Sequence, residues 1–317
     1  MEFKNGVCRY DLKDVESLLL SKGDHYKEYF ETFKRASNGE NMGKPMYVVV
    51  ETNNYCNMRC KMCIRAMDEN QNDSHELSPE LLDKLLSDIE KMDVPSVFLG
   101  GGAECLINPH IMEIITKIRK LKRTVTDDVL ITNGYELSDE IIDLLIKEGW
   151  EKIFISLDAA KPETYKAIRG RDLLHVEERI RRLVERKKEL NSVFPILRVS
   201  FVVMNTNKDE QEEFYDKWKD VVDIIDFQKL IVYSHDMAVK KNLPEPVEVC
   251  KQPFSRMEVD CFGNIYPCCS EWQKYLRIGN MADMSLEEAW NSPLIEQLRK
   301  VTAEKTCDIC RTCMHSD

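Results

Sequence analysis

From Met46 to Val232 the chain alternates short apolar runs with longer amphipathic ones, and this leaves few folds open. The runs Met46–Glu51, Ser96–Leu99, Val129–Thr132, Lys152–Leu157, Leu197–Met204 and Ile224–Val232 read as strands. Between them, Ser78–Met92, Pro109–Leu121, Ser138–Lys147, Lys161–Ile168, Leu174–Leu190 and Lys208–Val221 read as helices. Ser78-Pro79-Glu80 is a helix start, because the hydroxyl caps the first turn and proline is tolerated there. Strands that run the same way need a crossover, so the pattern implies a parallel sheet with helical connections. Six units fall short of the eight in a closed barrel, and the expectation is an α/β fold built as an open, partial (β/α)6 barrel. Its site then lies at the C-terminal strand ends, where the loops converge.

Three segments follow from this reading: an extension over 1–45, the partial barrel over 46–235 and a small domain over 236–317. The extension is polar and partly helical. Pro244-Glu245-Pro246 reads as a linker. Met257–Pro267 reads as a hairpin turning at Phe262-Gly263-Asn264, and Ser285–Thr302 as a helix interrupted near Pro293. The small domain is therefore a hairpin-plus-helix unit. No internal repeat or low-complexity tract is present.

A net charge of −11 argues against a nucleic-acid backbone as partner, since that needs a basic face. The basic residues Arg179, Arg181, Arg182, Arg186, Lys187 and Lys188 lie on a predicted helix and read as a solvated face. No apolar run reaches the roughly 18–20 residues of a membrane span, and Met1-Glu2-Phe3-Lys4-Asn5 lacks the apolar segment of a signal peptide. The expectation is a cytoplasmic protein that binds neither membrane nor nucleic acid. In the cytosol, twelve cysteines point to metal or catalysis rather than a disulfide framework. They fall in two sets, three over 56–63 and seven over 250–313, with Cys8 and Cys105 apart. Two metal sites are implied.

The first set, Cys56, Cys60 and Cys63, has C-x3-C-x2-C spacing directly after the first predicted strand. A structural zinc site favours four ligands, commonly in C-x2-C pairs, and fits this triplet poorly. Thiolate-only ligation with one position missing fits a [4Fe-4S] cluster with an open iron.

The triplet resembles the signature of the radical S-adenosylmethionine (SAM) superfamily. That resemblance implies that the open iron binds the amino and carboxylate groups of SAM. One electron then cleaves SAM to methionine and a 5′-deoxyadenosyl radical, which takes a hydrogen atom from substrate. Met62 departs from the aromatic residue the family usually places before the last cysteine. Val97–Glu104 is similar to the family's glycine-rich strand end, with Gly101, Gly102 and Glu104 matching GGxE. This implies a backbone-and-carboxylate seat for the SAM ammonium. Cys105 stands where the family usually has proline and is either a hydrogen-atom donor or an inert buried thiol. Asn133 and Ser156 end predicted strands, and Ser156 matches a position that contacts SAM in relatives. Asp158 is a residue that could face substrate. The stretch Ile155–Gly170 resembles a segment of the peptide- and sugar-modifying branch; its Arg169 is structural or pairs with a carboxylate. Arg198 and Ser200 on the next strand are further SAM-contact candidates.

At the C-terminal end, Cys250, Gly263 and Cys268 resemble the opening of the SPASM/twitch extension of radical SAM enzymes, and Ile278–Met281 and Leu286–Trp290 continue the likeness. The resemblance implies an auxiliary [4Fe-4S] cluster held by Cys250, Cys268 and two of Cys307, Cys310 and Cys313, with zinc as the alternative. A full SPASM domain holds two clusters and needs a longer cysteine-bearing tail, so one is expected. Cys261 and Cys269 are either structural or thiols that return a hydrogen to a substrate radical, as in related epimerases.

The implied activity is epimerisation or dehydrogenation by a radical SAM oxidoreductase or epimerase, fed by a flavodoxin- or ferredoxin-type donor. Peptide-modifying relatives carry an N-terminal leader-binding domain of about 80 residues, for which residues 1–45 look too short. This favours a small polar substrate such as a sugar, an aminocyclitol or an antibiotic precursor over a peptide or protein. A non-catalytic Fe–S or zinc redox or binding module is the remaining alternative. It leaves the open iron and the glycine motif unexplained together.

Overall fold

The computed structural model describes residues 2–66, 74–230, 250–269, 276–304 and 306. It opens with β1 (Cys8–Asp11), α1 (Val15–Leu20) and α2 (His25–Ser37). The alternating region comprises β2 (Tyr47–Val50), α3 (Pro79–Lys91), β3 (Ser96–Leu99), α4 (Ile111–Arg119), β4 (Val129–Thr132) and α5 (Asp139–Lys147). It continues through β5 (Lys152–Ser156), α6 (Pro162–Arg169), α7 (Leu173–Glu189), β6 (Ile196–Val203), α8 (Gln211–Trp218) and β7 (Ile224–Lys229). A short turn of helix, α9 (Gln252–Ser255), then leads into β8 (Arg256–Val259), β9 (Asn264–Tyr266), β10 (Gly279–Asn280), α10 (Leu286–Trp290) and α11 (Pro293–Ala303).

One ten-stranded sheet runs through all of it in the order β1-β7-β6-β5-β4-β3-β2-β8-β9-β10. β2 to β7 are parallel, as crossover helices require, and the sheet does not close. β2 is buried along its whole length and its Val-Val-Val run suits a strand covered on both faces. α3 is capped by Ser78, whose hydroxyl accepts from Leu81 N at 3.2 Å, and it buries Leu82, Leu85, Leu86 and Ile89 on one face. α5 repeats this with Ser138 as cap and Ile141, Ile142, Leu145 and Ile146 inward. On β5, Ile153 and Ile155 are buried against the helices, while Lys152, Phe154 and Ser156 point to the other face of the sheet, the barrel interior.

The hairpin forms as expected, with β8 antiparallel to β9 and a turn at Gly263 (φ +79°). Less expected is the parallel pairing of β8 with β2, Tyr47 against Arg256 through Val50 against Val259, which makes the hairpin a direct continuation of the barrel sheet. The helix expected over 285–302 is two helices, broken where Ser292 caps α11 and Pro293 takes its first turn. The predicted linker at Pro244–Pro246 and the last residues of the predicted strand Ile224–Val232 lie outside the described residues.

The extension is partly helical as expected, and it adds a strand that the sequence did not signal. β1 pairs antiparallel with β7, Cys8 against Phe227, and Tyr10 is its one buried residue. α2 seals the N-terminal strand ends: Tyr29 Oη donates to Asp127 Oδ2 at 2.8 Å and Tyr26 Oη to the Thr126 carbonyl at 2.7 Å. Beside them a buried ion network joins Arg119 and Arg123 to Asp128, and Arg119 and Lys22 to Glu151. The opposite, C-terminal strand ends are left for chemistry. Among the described residues no helix is long and apolar enough to cross a membrane.

Candidate active site

The loop after β2 carries Cys56, Cys60 and Cys63, all half-buried. Met58 is buried beneath it, its N–H donating to Cys56 Sγ at 3.5 Å, and Cys63 N–H donates to the Cys60 carbonyl at 2.9 Å in a tight turn. Burial pushes the Cys56 thiol up and the Cys60 thiol up to about 11, so a bound metal would supply the charge that ionises them at neutral pH.

Around the loop lies a cavity of about 190 Å³. Its lining includes the three cysteines together with Gly101, Gly102, Glu104, Asn133, Ser156 and Arg169. Nine residues singled out in sequence, from four strand ends and one helix end, thus meet in one place. The glycines earn their positions by close approach. A Cβ on Gly100 (φ +96°) would stand 2.5 Å from the Ile131 carbonyl oxygen, and one on Gly102 would overlap Glu51 Oε1.

Glu104 is buried and its carboxylate is held from three sides. Oε1 accepts from Leu106 N (3.1 Å) and Thr132 Oγ1 (2.7 Å), and Oε2 from Asn133 N (2.7 Å). Burial raises its pKa, with these bonds opposing. It therefore ties the end of β3 to the end of β4, and Asn133 Nδ2 carries the tie onward to Asn57 Oδ1 at 2.8 Å.

Asp158 is fully buried, in the left-handed region at φ +64°, and accepts from Arg169 Nε at 2.9 Å and from Val202 N at 2.7 Å. Arg169 thus pairs with a carboxylate, and Asp158 stands behind it rather than on the cavity lining. Arg198 and Ser200 lie further round the same interior face. The Arg198 guanidinium sits 3.5 Å from the centre of the Phe154 ring and 3.2 Å from Asp226 Oδ2, and Gln228 Nε2 donates to that oxygen at 2.7 Å. Burial pushes Arg198 down to about 10, opposed by Asp226 and aided by Arg9.

The thiols outside the triplet fall differently. Cys105 is buried in the apolar core with Sγ 3.4 Å from the Ile131 carbonyl oxygen, and Cys261 is buried there too; neither lines the cavity. Cys250 is half-buried, Cys268 buried and Cys269 exposed. Burial pushes Cys250 up. Burial also works against the charge of Arg256, but Glu258, Tyr47 and the nearby Cys269 and Cys268 outweigh it and hold the guanidinium protonated. Cys307, Cys310 and Cys313 lie outside the described residues.

Three residues of this region had no obvious signal in sequence. Arg65 reaches back to donate to the Asn54 carbonyl (2.9 Å), the Gly102 carbonyl and Glu51 Oε1 (3.0 Å), joining the cluster loop, the glycine motif and the end of β2. Its only hint is its place two residues after Cys63. Glu51 is its buried partner, and Asp226 is the third.

The donor set fits the group the spacing implies. Three half-buried thiols share one loop, the backbone opposite has no room for side chains, and the cavity between carries both acidic and basic edges. Among the described residues no three His, Cys, Asp or Glu side chains converge as the ligands of a single ion would. An open parallel sheet with such a loop at a central strand fits the class of iron–sulfur proteins.

Matches to known families name the enzyme class. Residues 50–221 match the radical SAM superfamily and residues 250–314 the SPASM iron–sulfur cluster-binding domain. The chain belongs to the radical SAM superfamily and carries a SPASM-type C-terminal domain; its cofactors are a [4Fe-4S] cluster, an auxiliary cluster and SAM. It is 27% identical over 163 residues to the tungsten-containing aldehyde ferredoxin oxidoreductase cofactor-modifying protein of Pyrococcus furiosus, covering 51% of this chain and 44% of that one. The chain therefore spans less than half the length of that relative. Its fold is similar to BtrN in complex with AdoMet and 2-DOIA (TM-score 0.56, 15% identity, covering 86% and 92% of the two chains). It is also similar to Streptococcus suis SuiB bound to the precursor peptide SuiA (TM-score 0.62, 15% identity, covering 92% and 75%).

Proposed function

We propose that this radical SAM enzyme is a cytoplasmic oxidoreductase that dehydrogenates a small polar substrate, such as a sugar, an aminocyclitol or an antibiotic precursor. The observation that carries the substrate class is the wall beside the cavity. Ser156 lines the cavity, Phe154 shares its face of β5, and Arg198, Ser200, Asp226 and Gln228 continue that face across β6 and β7. Arg198 Nε is buried with no hydrogen-bond partner, a donor available to a ligand acceptor. An aromatic ring, a guanidinium, a carboxylate and an amide on one wall suit a molecule with hydroxyl or amino groups.

When bound, SAM and the first cluster supply the 5′-deoxyadenosyl radical that abstracts a hydrogen atom from carbon. The residues divide the remaining work. Cys56, Cys60 and Cys63 ligate the first cluster. Gly101, Gly102 and Glu104 seat the SAM ammonium, and Asn133, Ser156 and Arg169 border the rest of SAM. Arg198, Ser200, Asp226 and Gln228 orient the substrate. Loss of a hydrogen atom leaves one electron and one proton to be removed. Cys250, Cys268 and two of Cys307, Cys310 and Cys313 would hold the auxiliary cluster, which would supply an electron acceptor, and Asp226 would take the proton. Dehydrogenation is favoured over epimerisation because Cys105 and Cys261 are buried in the core and neither lines the cavity. A flavodoxin- or ferredoxin-type protein supplies the electron that starts the cycle.

The test is incubation of the reconstituted enzyme with SAM, reductant and candidate sugars in deuterated solvent, read by mass spectrometry. Formation of 5′-deoxyadenosine with a substrate mass loss of two supports the proposal. A gain of one indicates epimerisation, and turnover of peptides alone overturns the substrate class. Near-stoichiometric zinc with little iron would leave only a binding module.

A further inference from the structure

The turn that ends α6 grips the cluster loop through consecutive residues. The Ile168 carbonyl accepts from Lys61 N at 3.0 Å, Arg169 Nη1 lies 3.8 Å from Cys60 Sγ, and Arg171 Nε and Nη2 donate to the Asn57 carbonyl at 2.9 and 2.7 Å. Gly170, at φ +74°, reverses the chain so that both arginines reach the loop. Within this grip Arg169 is the buried member, 7% exposed. Its Nε and Nη2 are spent on Asp158 Oδ2, which leaves Nη1 for the sulfur. Asp158 is itself immobilised: Oδ1 accepts from Val202 N, its carbonyl accepts from Asn207 Nδ2 at 2.8 Å, and its backbone is in a region that non-glycine residues rarely occupy. A pair that served packing alone would not need its third nitrogen aimed at a cluster ligand.

We propose that Arg169 is a positioning residue for the first cluster, donating a charge-assisted hydrogen bond to the Cys60 thiolate and so raising the reduction potential of that cluster, with Asp158 fixing and partly offsetting its charge. The physical basis is that the reduced cluster carries one more negative charge than the oxidised one. A buried guanidinium beside a ligand sulfur stabilises the reduced form more, and hydrogen bonds to the sulfurs are a recognised control of potential. The two members of the pair then push in opposite directions. Without Arg169 the electron enters less readily; without the Asp158 charge it enters more readily. The inference rests on Cys60 being a cluster ligand and is independent of the substrate class.

The experiment is anaerobic redox titration of the reconstituted full chain, followed by electron paramagnetic resonance on the component of the reduced signal that changes when SAM is added. That component separates the first cluster from the auxiliary one. Arg169→Gln is expected to lower the reduced-to-oxidised ratio at a fixed poise about tenfold, which is about 59 mV for a one-electron couple. Arg169→Lys, which keeps the charge and loses the fork, is expected to fall between the two. Asp158→Asn is expected to raise the ratio. A merely structural pair would move both substitutions the same way, through lost iron. If Arg169→Gln fails to hold iron, Asp158→Asn and Arg169→Lys still decide. An unchanged or lowered ratio in Asp158→Asn, or wild-type potential in an iron-replete Arg169→Gln or Arg169→Lys, overturns the proposal. If the wild-type chain shows no SAM-responsive signal at all, the assignment of the first cluster fails before the tuning is tested.

Discussion

The Glu51–Arg65 pair beneath Gly102 gives a prediction whose size can be worked from the structure. A Cβ at Gly102 would overlap Glu51 Oε1 and approach Arg65 Nη2 to 2.9 Å. The glutamate is long enough to swing away, but only by leaving Arg65, and its carboxylate is buried. Breaking a buried ion pair costs about 3–5 kcal/mol. With the Arg65 side chain 19% exposed, the lower end applies, about 3 kcal/mol for Gly102→Ala. Glu51→Ala leaves Arg65 without the same partner and has a similar cost. It also removes the atom with which the new methyl collides. The double variant should therefore lose about 3 kcal/mol rather than about 6. For a chain of this size that is a fall in Tm of about 6 °C instead of about 12 °C. Gly170→Ala is the control. It meets nothing within 4 Å but sits at φ +74°, so it costs the ~1–2 kcal/mol of left-handed backbone and should add fully to Glu51→Ala. The assay is thermal unfolding of cluster-free protein under anaerobic reducing conditions. Additive losses in the Gly102/Glu51 double variant, or a Gly102→Ala protein as stable as the parent, would refute the argument that this pair fills the space a side chain would need.

Cys56→Ala should cut iron from about eight to about four per chain and abolish 5′-deoxyadenosine, measured by iron assay and chromatography; persistent 5′-deoxyadenosine would place SAM cleavage elsewhere. Arg198→Met should raise the substrate KM at least tenfold while SAM cleavage without substrate stays within about twofold, because the residue borders the proposed substrate wall rather than the cluster loop. Burial alone would lift the pKa of Asp128, but Arg123 and Arg119 outweigh it and hold the carboxylate below the ordinary range. A depressed folded pKa contributes stability above the unfolded value and loses it as pH falls through the folded one. The Tm of cluster-free protein should therefore drop below about pH 4, and Asp128→Asn should cost about 3–5 kcal/mol at pH 7 and flatten that acid slope.

Much of this fold can be read from residues because its signals are local. β2 to β7 announce themselves as short β-branched runs, and Ser78, Ser138 and Ser292 mark helix starts with the bonds that cap them. The triplet and the glycine motif are legible because thiolate chemistry and close backbone approach admit few alternatives at those positions. β1 is not, because Cys8-Arg9-Tyr10-Asp11 holds no β-branched residue, buries only Tyr10 and owes its strand geometry to β7. Long-range side-chain bonds are equally hidden. Glu104 reads in sequence as a ligand group, and nothing there shows that Leu106, Thr132 and Asn133 hold its carboxylate in place at the cavity. Cys105 reads as a thiol near the SAM site, and only the structure shows that the short helical turn it begins directs its sulfur to the carbonyl of Ile131, a residue of the cavity lining. Arg65 and Glu51 carry no pattern at all, since an ion pair between a strand end and a loop leaves no periodic trace.

The parallel pairing of β8 with β2 bears on how the enzyme is made. Tyr47–Val50 is the strand that leads into the cluster loop, and one of its two neighbours is Arg256–Val259, some two hundred residues later in the chain. Contacts of such separation form late and slowly, because loop closure must precede them. A ribosome that has finished the triplet and the six parallel strands has still not built the far side of β2. Iron delivered at that stage would meet a cysteine loop whose supporting strand still has an open edge.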